Sequence, residues 1–506
     1  MSFKEVKELR VAGSLEEALK MAEKDLENNP ESIWNKRSVA WVYYELLKKH
    51  AVEVSFHEFK EYLIKLKELN LAGEEGLIFD TVAYQVGKVI YAIAKAEPVN
   101  YSAINDLFNI IKDFHFSKPS ASYSFLYKAF HQVNKEWSNY LEFADWWAFD
   151  NFDTKDYLNE EYNGKSIMSL VEKAYVAYGK KLLEDIVAGA DGFSQVGVSG
   201  REKIEQFLPK LNELIQKHPE YQYPLYYKTK LLLAIDDREN ALTSFLPFAK
   251  MKRNDFWVWD LMSDIFPEDD DRKIACLCKA LTLRTRENFL INVHKKLGLL
   301  LADKGLYSEA KTEIEKVIEL RRENAWRIPS DITEITEKSW YKDVSGYDSN
   351  KAFYKKFLPI AEEILYHDIR EEVVAVEYVN YNKHFLNFVK NKTKHGFLKY
   401  EGLIDKVSIG DLLSIRFDGK GEDKYFKALT IKKLSGDIES EAVKQFEGVA
   451  RINESANFGF VDNVFVEPKL VKSFGLGQGQ QVTGEAILSF NKKKNDWGWK
   501  ALRINQ

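Results

Sequence analysis

Near the C-terminus, Phe458-Gly459-Phe460 is followed by Val464-Phe465-Val466. Side chains alternate faces along a strand, so Phe458 and Phe460 project together. Phe465 joins them on the outside, while Val464 and Val466 turn to a core. Rings on an outer face are unfavourable unless they meet something flat. Arg451, on the preceding run, adds a planar cation that can stack in the same way. Lys492, Lys493 and Lys494 lie between the last two strand-like runs and are placed to grip phosphates. A second set lies upstream, with the rings of Tyr378, Phe385 and Phe388 followed by Lys390, Lys392 and Lys394. The upstream cluster Lys390, Lys392 and Lys394 can equally be a solvated turn.

The elements that carry these residues follow from periodicity. After about residue 372 the apolar period changes from 3.6 to 2. Strand-like runs appear at Gly448–Asn453, Phe458–Val461, Val464–Val466, Val482–Phe490 and Trp499–Ile504. Five short strands in so few residues suit a small OB-type barrel, with the lysine triplet in one of the two loops that bind oligonucleotides. Residues 373–435 read as a second copy. Val376-Glu377-Tyr378-Val379-Asn380 aligns with Val449-Ala450-Arg451-Ile452-Asn453, and Lys427-Ala428-Leu429 aligns with Lys500-Ala501-Leu502. The second barrel is expected over 444–506, with 434–444 as a linker that separates the two.

The last segment resembles the cold-shock domain family. Phe458-Gly459-Phe460-Val461 matches the core of that family's first nucleic-acid motif, and Val464-Phe465-Val466 matches the second. Asn453 and a glycine at 477 or 479 also fit. The resemblance implies that the outer rings stack on unpaired bases, each stack being worth about 1–3 kcal/mol. This chain departs from the pattern at three places. Arg451 replaces a stacking Trp, Glu467 replaces a His and would repel phosphate, and Ala456 replaces a Lys. A protein-binding or purely structural barrel therefore stays open beside the nucleic-acid reading.

The rest of the chain, 1–372, reads as a helical repeat array. Leu297-Gly298, Leu301, Gly305, Tyr307, Ala310, Ile314 and Val317 have the spacing of a tetratricopeptide (TPR) unit. Equivalent positions recur at Trp259, Met262, Ser263 and Phe266, and at Leu225, Leu232, Ala241, Phe245 and Phe248. Gly13, Ala18 and Pro30 suggest a first unit at the N-terminus, and segments 56–70, 78–96, 101–115, 120–140 and 166–187 are amphipathic. Such hairpins bury their apolar faces only by stacking, which predicts an α-solenoid with a groove for a protein partner. The aromatic stretch 138–163 is expected to be helix-interface core rather than a docking surface. The Gly-rich stretch 188–200 is expected to be a loop, since Val198 stands where a phosphate loop needs Lys. The fold class is thus mainly α, a TPR-like α-solenoid followed by two small OB or cold-shock-like barrels.

Charge and composition narrow the function. Residues 373–506 hold 21 Lys and Arg against 16 Asp and Glu, and 1–372 hold 52 against 62. A mildly basic tail on an acidic body suggests two kinds of partner. No uninterrupted apolar run is long enough to span a membrane, and Met1–Arg10 lacks an apolar signal core, so no membrane is expected and the cytoplasm is the expected location. Cys276 and Cys278 make half a metal site at best. No paired-histidine, Walker or nucleophile-elbow motif occurs, so no catalytic residue, metal or cofactor is expected. The expected function is a non-enzymatic adaptor, with a protein partner on the array and single-stranded RNA or DNA on the barrels. The alternative is a pure protein-interaction scaffold. The order of repeats and barrels also resembles bacterial repeat/OB proteins of TOTE-type conflict systems, which implies a role in antiviral defence.

Overall fold

The computed structural model describes residues 2–53, 55–189, 198–268, 270–419, 421–422, 424–436, 438–453, 455–491 and 494–505. It forms two compact units, Met1–Asp269 and Asp270–Gln506. The division falls inside the helical run, so the last helices of the array group with the barrels.

The first unit is built from antiparallel helical hairpins. Ser2–Ala12 and Leu15–Asn28 turn at Gly13, whose φ of 85° favours glycine. Tyr223–Ala234 and Arg238–Met251 form another hairpin, capped where Asp237 accepts from the Asn240 amide. Ala18, Ala241, Phe245 and Phe248 are buried at the helix interfaces. The helix Gly76–Lys95 is long and apolar enough to cross a membrane, by length and composition alone. Asp80 and Lys88 interrupt its apolar residues, so no unbroken run marks it in the sequence. Its Val82, Ala83, Val86 and Ile90 are fully buried against neighbouring residues.

The aromatic stretch is core, as expected. Tyr140, Phe143 and Trp147 of helix Tyr140–Trp147 pack on Tyr123, Tyr127 and Phe130 of helix Ala121–His131, all fully buried. It ends in a feature the periodicity did not announce, a hairpin of β1 (Glu160–Tyr162) and β2 (Lys165–Ile167). Asn163 and Gly164 turn it with φ of 51° and 71°, the left-handed pair that a two-residue hairpin loop requires. Most of the Gly-rich stretch, residues 190–197, lies outside the described residues.

In the second unit, Glu287–Asp303 and Tyr307–Glu323 form the hairpin with the clearest TPR spacing. A Cβ on Gly298 would lie 3.0 Å from Ile314 and 3.1 Å from the Glu313 side chain, so a small residue sets the helix separation. The final helix, Lys351–Tyr366, packs on Asp271–Thr282. It is held by the buried Glu313 carboxylate, which accepts from Asn350 at 2.6 Å and Tyr354 at 2.5 Å, with His294 at 2.6 Å on its other oxygen.

In the second unit, strands begin at residue 372. The first barrel is, among the described residues, a five-stranded sheet whose edge strands β5 and β7 do not pair with each other: β3 (Glu372–Asn380), β4 (Phe385–Val389), β5 (His395–Lys399), β6 (Leu412–Phe417) and β7 (Ala428–Lys433), in the order β5-β4-β3-β6-β7. A single parallel bridge, Phe397 to Tyr425, joins β5 to the segment before β7. The second has β8 (Val443–Asn453), β9 (Phe458–Val461), β10 (Val464–Val466), β11 (Gln481–Asn491) and β12 (Asp496–Asn505), closed as β10-β12-β11-β8-β9. A short helix, Pro468–Phe474, crosses between β10 and β11.

The segment expected to separate the barrels does not. Ala442 is fully buried, Val443 already belongs to β8, and Ala375, Val389, Ile487 and Leu488 join Ala442 in a core shared by both barrels. Arg416 of the first barrel also reaches the last helix, 2.7 Å from Glu363, and donates to the Ile369 carbonyl at 2.9 Å.

Candidate nucleic-acid interface

On the second barrel, Phe458 and Phe460 alternate with the buried Val461 and face outward, half-buried. Phe465 pairs across strands with Phe460, between the fully buried Val464 and Val466. The three rings form a triad with centroids 5.5, 5.8 and 6.0 Å apart. Arg451 pairs with Phe460 from β8, extends the same face, and donates to the Asp462 carbonyl at 3.1 Å. Parallel pairing places Lys500 beside Phe465. Its ammonium lies 2.7 Å from Glu467, so the residue expected to repel phosphate instead holds a lysine. Lys494 is exposed, whereas Lys492 and Lys493 lie outside the described residues.

The first barrel departs from the expected set. Phe385 is half-buried on the outer face, but Phe388 is fully buried and is not a surface residue. A spacing of three puts the two rings on opposite faces of β4. Phe388 packs at 5.1 Å on both Phe417 and Phe426 in the core. Two lysines are likewise committed. Lys390 and Lys394 hold the Glu372 carboxylate at 2.9 and 2.5 Å, and Lys394 also lies 4.7 Å over the Phe417 ring. Burial raises the Glu372 pKa, but the two lysines outweigh it and hold the carboxyl below its usual range. Of that cluster, Lys392 is exposed.

Two residues that the spacing did not reveal complete the face. Phe397 of β5 is 37% exposed and Tyr425 is 41% exposed. With Phe385 they form a triad with centroids 5.6, 6.2 and 6.4 Å apart. Gly396 lets the Tyr425 segment come close, since a Cβ there would meet the Phe426 ring at 2.7 Å. That glycine before an aromatic, as in Gly459-Phe460, was the available signal for Phe397. Tyr378, 53% exposed on β3, stands beside Asn387.

Comparisons agree with this geometry. Residues 366–429 match the model for S1/CSD-like domain 1 of the TOTE conflict systems, and residues 444–504 match that for S1/CSD-like domain 2. Residues 222–361 match a domain of unknown function (DUF7017). The comparison with curated proteins gave no match. Among solved structures, the TPR domain of P58(IPK) is 12% identical, covering 72% of this chain and 98% of that one, with a TM-score of 0.18. The chain thus carries two S1/CSD-like domains similar to those of TOTE conflict systems, domain 1 before domain 2, behind a region of helical hairpins.

Proposed function

We propose that this protein is a non-enzymatic adaptor that holds unpaired RNA or DNA on its barrels and a protein partner on its helical hairpins. The observation that carries the first half is the pair of partly exposed aromatic triads, one on each barrel. Phe385 and Phe397 match Phe458 and Phe465, while Tyr425, before β7, supplies the third ring that Phe460 of β9 supplies in the other. A stacked base covers rings that water otherwise wets, whatever the base, because every base has a π-face. The match to S1/CSD-like domains supports the same reading. The TPR-like hairpins support a protein partner, and the sequence offers no motif for catalysis. The TOTE likeness makes antiviral defence in the cytoplasm the setting that fits. A protein scaffold is the second reading, favoured by the lysines already paired with Glu372 and Glu467.

Fluorescence anisotropy of the full chain with labelled oligo-uridylate and oligo-deoxythymidylate tests the first reading. Saturable binding that persists at moderate salt is expected. No binding of either strand at low salt returns the barrels to the scaffold reading.

A further inference from the structure

Between the two barrels lies a cavity of about 430 Å3 that neither triad explains. Tyr378, Asn387 and Phe397 line it from the first barrel, and Phe490, Trp497 and Lys500 from the second. Its walls mix aromatic rings with aliphatic side chains and the charged Glu377, Lys424, Glu467 and Lys500. Trp497 meets His395 edge to face at 4.7 Å and Phe490 at 5.4 Å. Polar groups also reach it, since Ser489 donates to Glu377 at 2.6 Å across the two barrels and both residues line the space. The volume falls in the range of roughly 300–1,000 Å3 that encloses small ligands.

Two residues place this cavity on a path. Phe397 lines it and belongs to the first triad. Lys500 lines it and is the cross-strand neighbour of Phe465 in the second triad. The surface therefore runs from Phe385 and Tyr425 through Phe397 to the cavity, then past Lys500 to Phe465 and Phe460. The shared core of Ala375, Val389, Ala442, Ile487 and Leu488 joins the barrels beside it.

We propose that the two barrels form one site, in which a single unpaired strand crosses both triads and places one nucleobase in the cavity between them. This rests on the nucleic-acid reading above. The base face meets the rings, and the exposed Asn387 amide offers a donor and an acceptor to its edge. Lys424, exposed on the first barrel and lining the cavity, is placed to take a flanking phosphate, while Lys500 on the second barrel stays paired with Glu467.

Full-length protein and single strands of about 4 and about 16 nucleotides, lengths that bracket the site of one OB fold, provide the test. Uridylate and deoxythymidylate arms separate RNA from DNA. The longer strand is expected to bind one per chain. Phe397→Ala and Phe465→Ala should each weaken it by about fivefold or more, the loss of one stacked base, and Phe397→Tyr should restore binding. A photoreactive 4-thio base at the centre of the strand should crosslink, by mass spectrometry, to Tyr378 or Trp497. Bases near the two ends should crosslink to opposite barrels. Two long strands per chain, or losses confined to one barrel's variants, overturn the single site while leaving nucleic-acid binding intact. Central crosslinks that never reach the cavity overturn it too. Absence of any binding overturns both.

Discussion

Two groups of aromatic side chains in this molecule use the same residue types to opposite ends. Around helix Tyr140–Trp147, rings close on one another. Trp147 stacks on Tyr123 at 4.7 Å and 8°, Phe143 sits 4.4 Å from Phe130, and all four are fully buried. In the barrel triads, rings stand 5.5 to 6.4 Å apart, tilted or edge to face, with part of each face open. A helix in a stack is covered by neighbours on several sides. A strand in a barrel has one face in the core and one face outside. Ring density alone therefore separates core from binding surface poorly, and parity along a strand separates them well.

The contrast is sharpest in the cost of removing a ring. Trp147→Ala should destabilise the first unit by about 3–5 kcal/mol, as should Phe388→Ala in the first barrel, because each leaves a cavity in a packed core. Denaturant unfolding followed by circular dichroism checks this, with Phe385→Ala as the surface control. A Phe388→Ala protein as stable as wild type would break the core assignment.

A second difference concerns protons. Burial, with a smaller contribution from nearby Lys173, pushes the His131 pKa down to about 4, and its Nδ1 lies 3.0 Å from the Tyr140 hydroxyl. Unfolded, it titrates near 6.5. The unfolded state thus binds the proton first, and the stability present above pH 6.5 is lost as pH falls towards about 4. That loss is about 3 kcal/mol. Hydrogen exchange of residues 121–147 across that window should show it, and His131→Gln should flatten the slope. The triad of the second barrel is made of phenylalanines alone and should show no such step in binding.

On the barrels the measurable loss is in affinity. Replacing Phe458 and Phe460 together by Ala should cost about 2 kcal/mol or more of single-strand binding, from two lost stacks. Circular dichroism should show the fold intact. A folded double variant that binds like wild type would make the triad structural and remove the contrast. The smallest effect belongs to charge. Neutralising Lys492, Lys493 and Lys494 should flatten a plot of log affinity against log salt, its slope falling by up to about 0.7 for every phosphate those ammonium groups neutralise.

How much of this was legible in the sequence depended on the element. Four strands of the second barrel begin and end within three residues of their expected places, whereas β8 starts at Val443, five residues before the expected Gly448. The helical hairpin at Gly298 and Gly305 was equally clear, since small residues mark close approach. The first barrel was harder. Phe388 is close enough to Phe385 in sequence to suggest a pair of rings, yet its odd spacing turns it into the core. Tyr425 lies in a turn-rich stretch with no period, and bridges to Phe397 and Glu422 give it a position. The linker failed for a related reason: Ser435-Gly436 suggests a break, but the apolar Ala442 and Val443 that follow seal the barrels together. The division at Asp269 leaves no trace in a helical pattern that continues through it.

The carboxylates beside the barrel lysines carry one more consequence. Glu372 on Lys390 and Lys394, and Glu467 on Lys500, act as counterions built into the chain. A polyanion that approaches these lysines must displace a tethered carboxylate instead of a freely released ion, so it gains little of the entropy that usually drives such binding. A DNA duplex offers dense phosphate but hides its base faces, and it has little else to give these rings. A frayed end, a loop or a displaced strand offers the faces themselves. On the function proposed above, neutralised lysines would turn an ordinary basic surface into one that discriminates by strandedness.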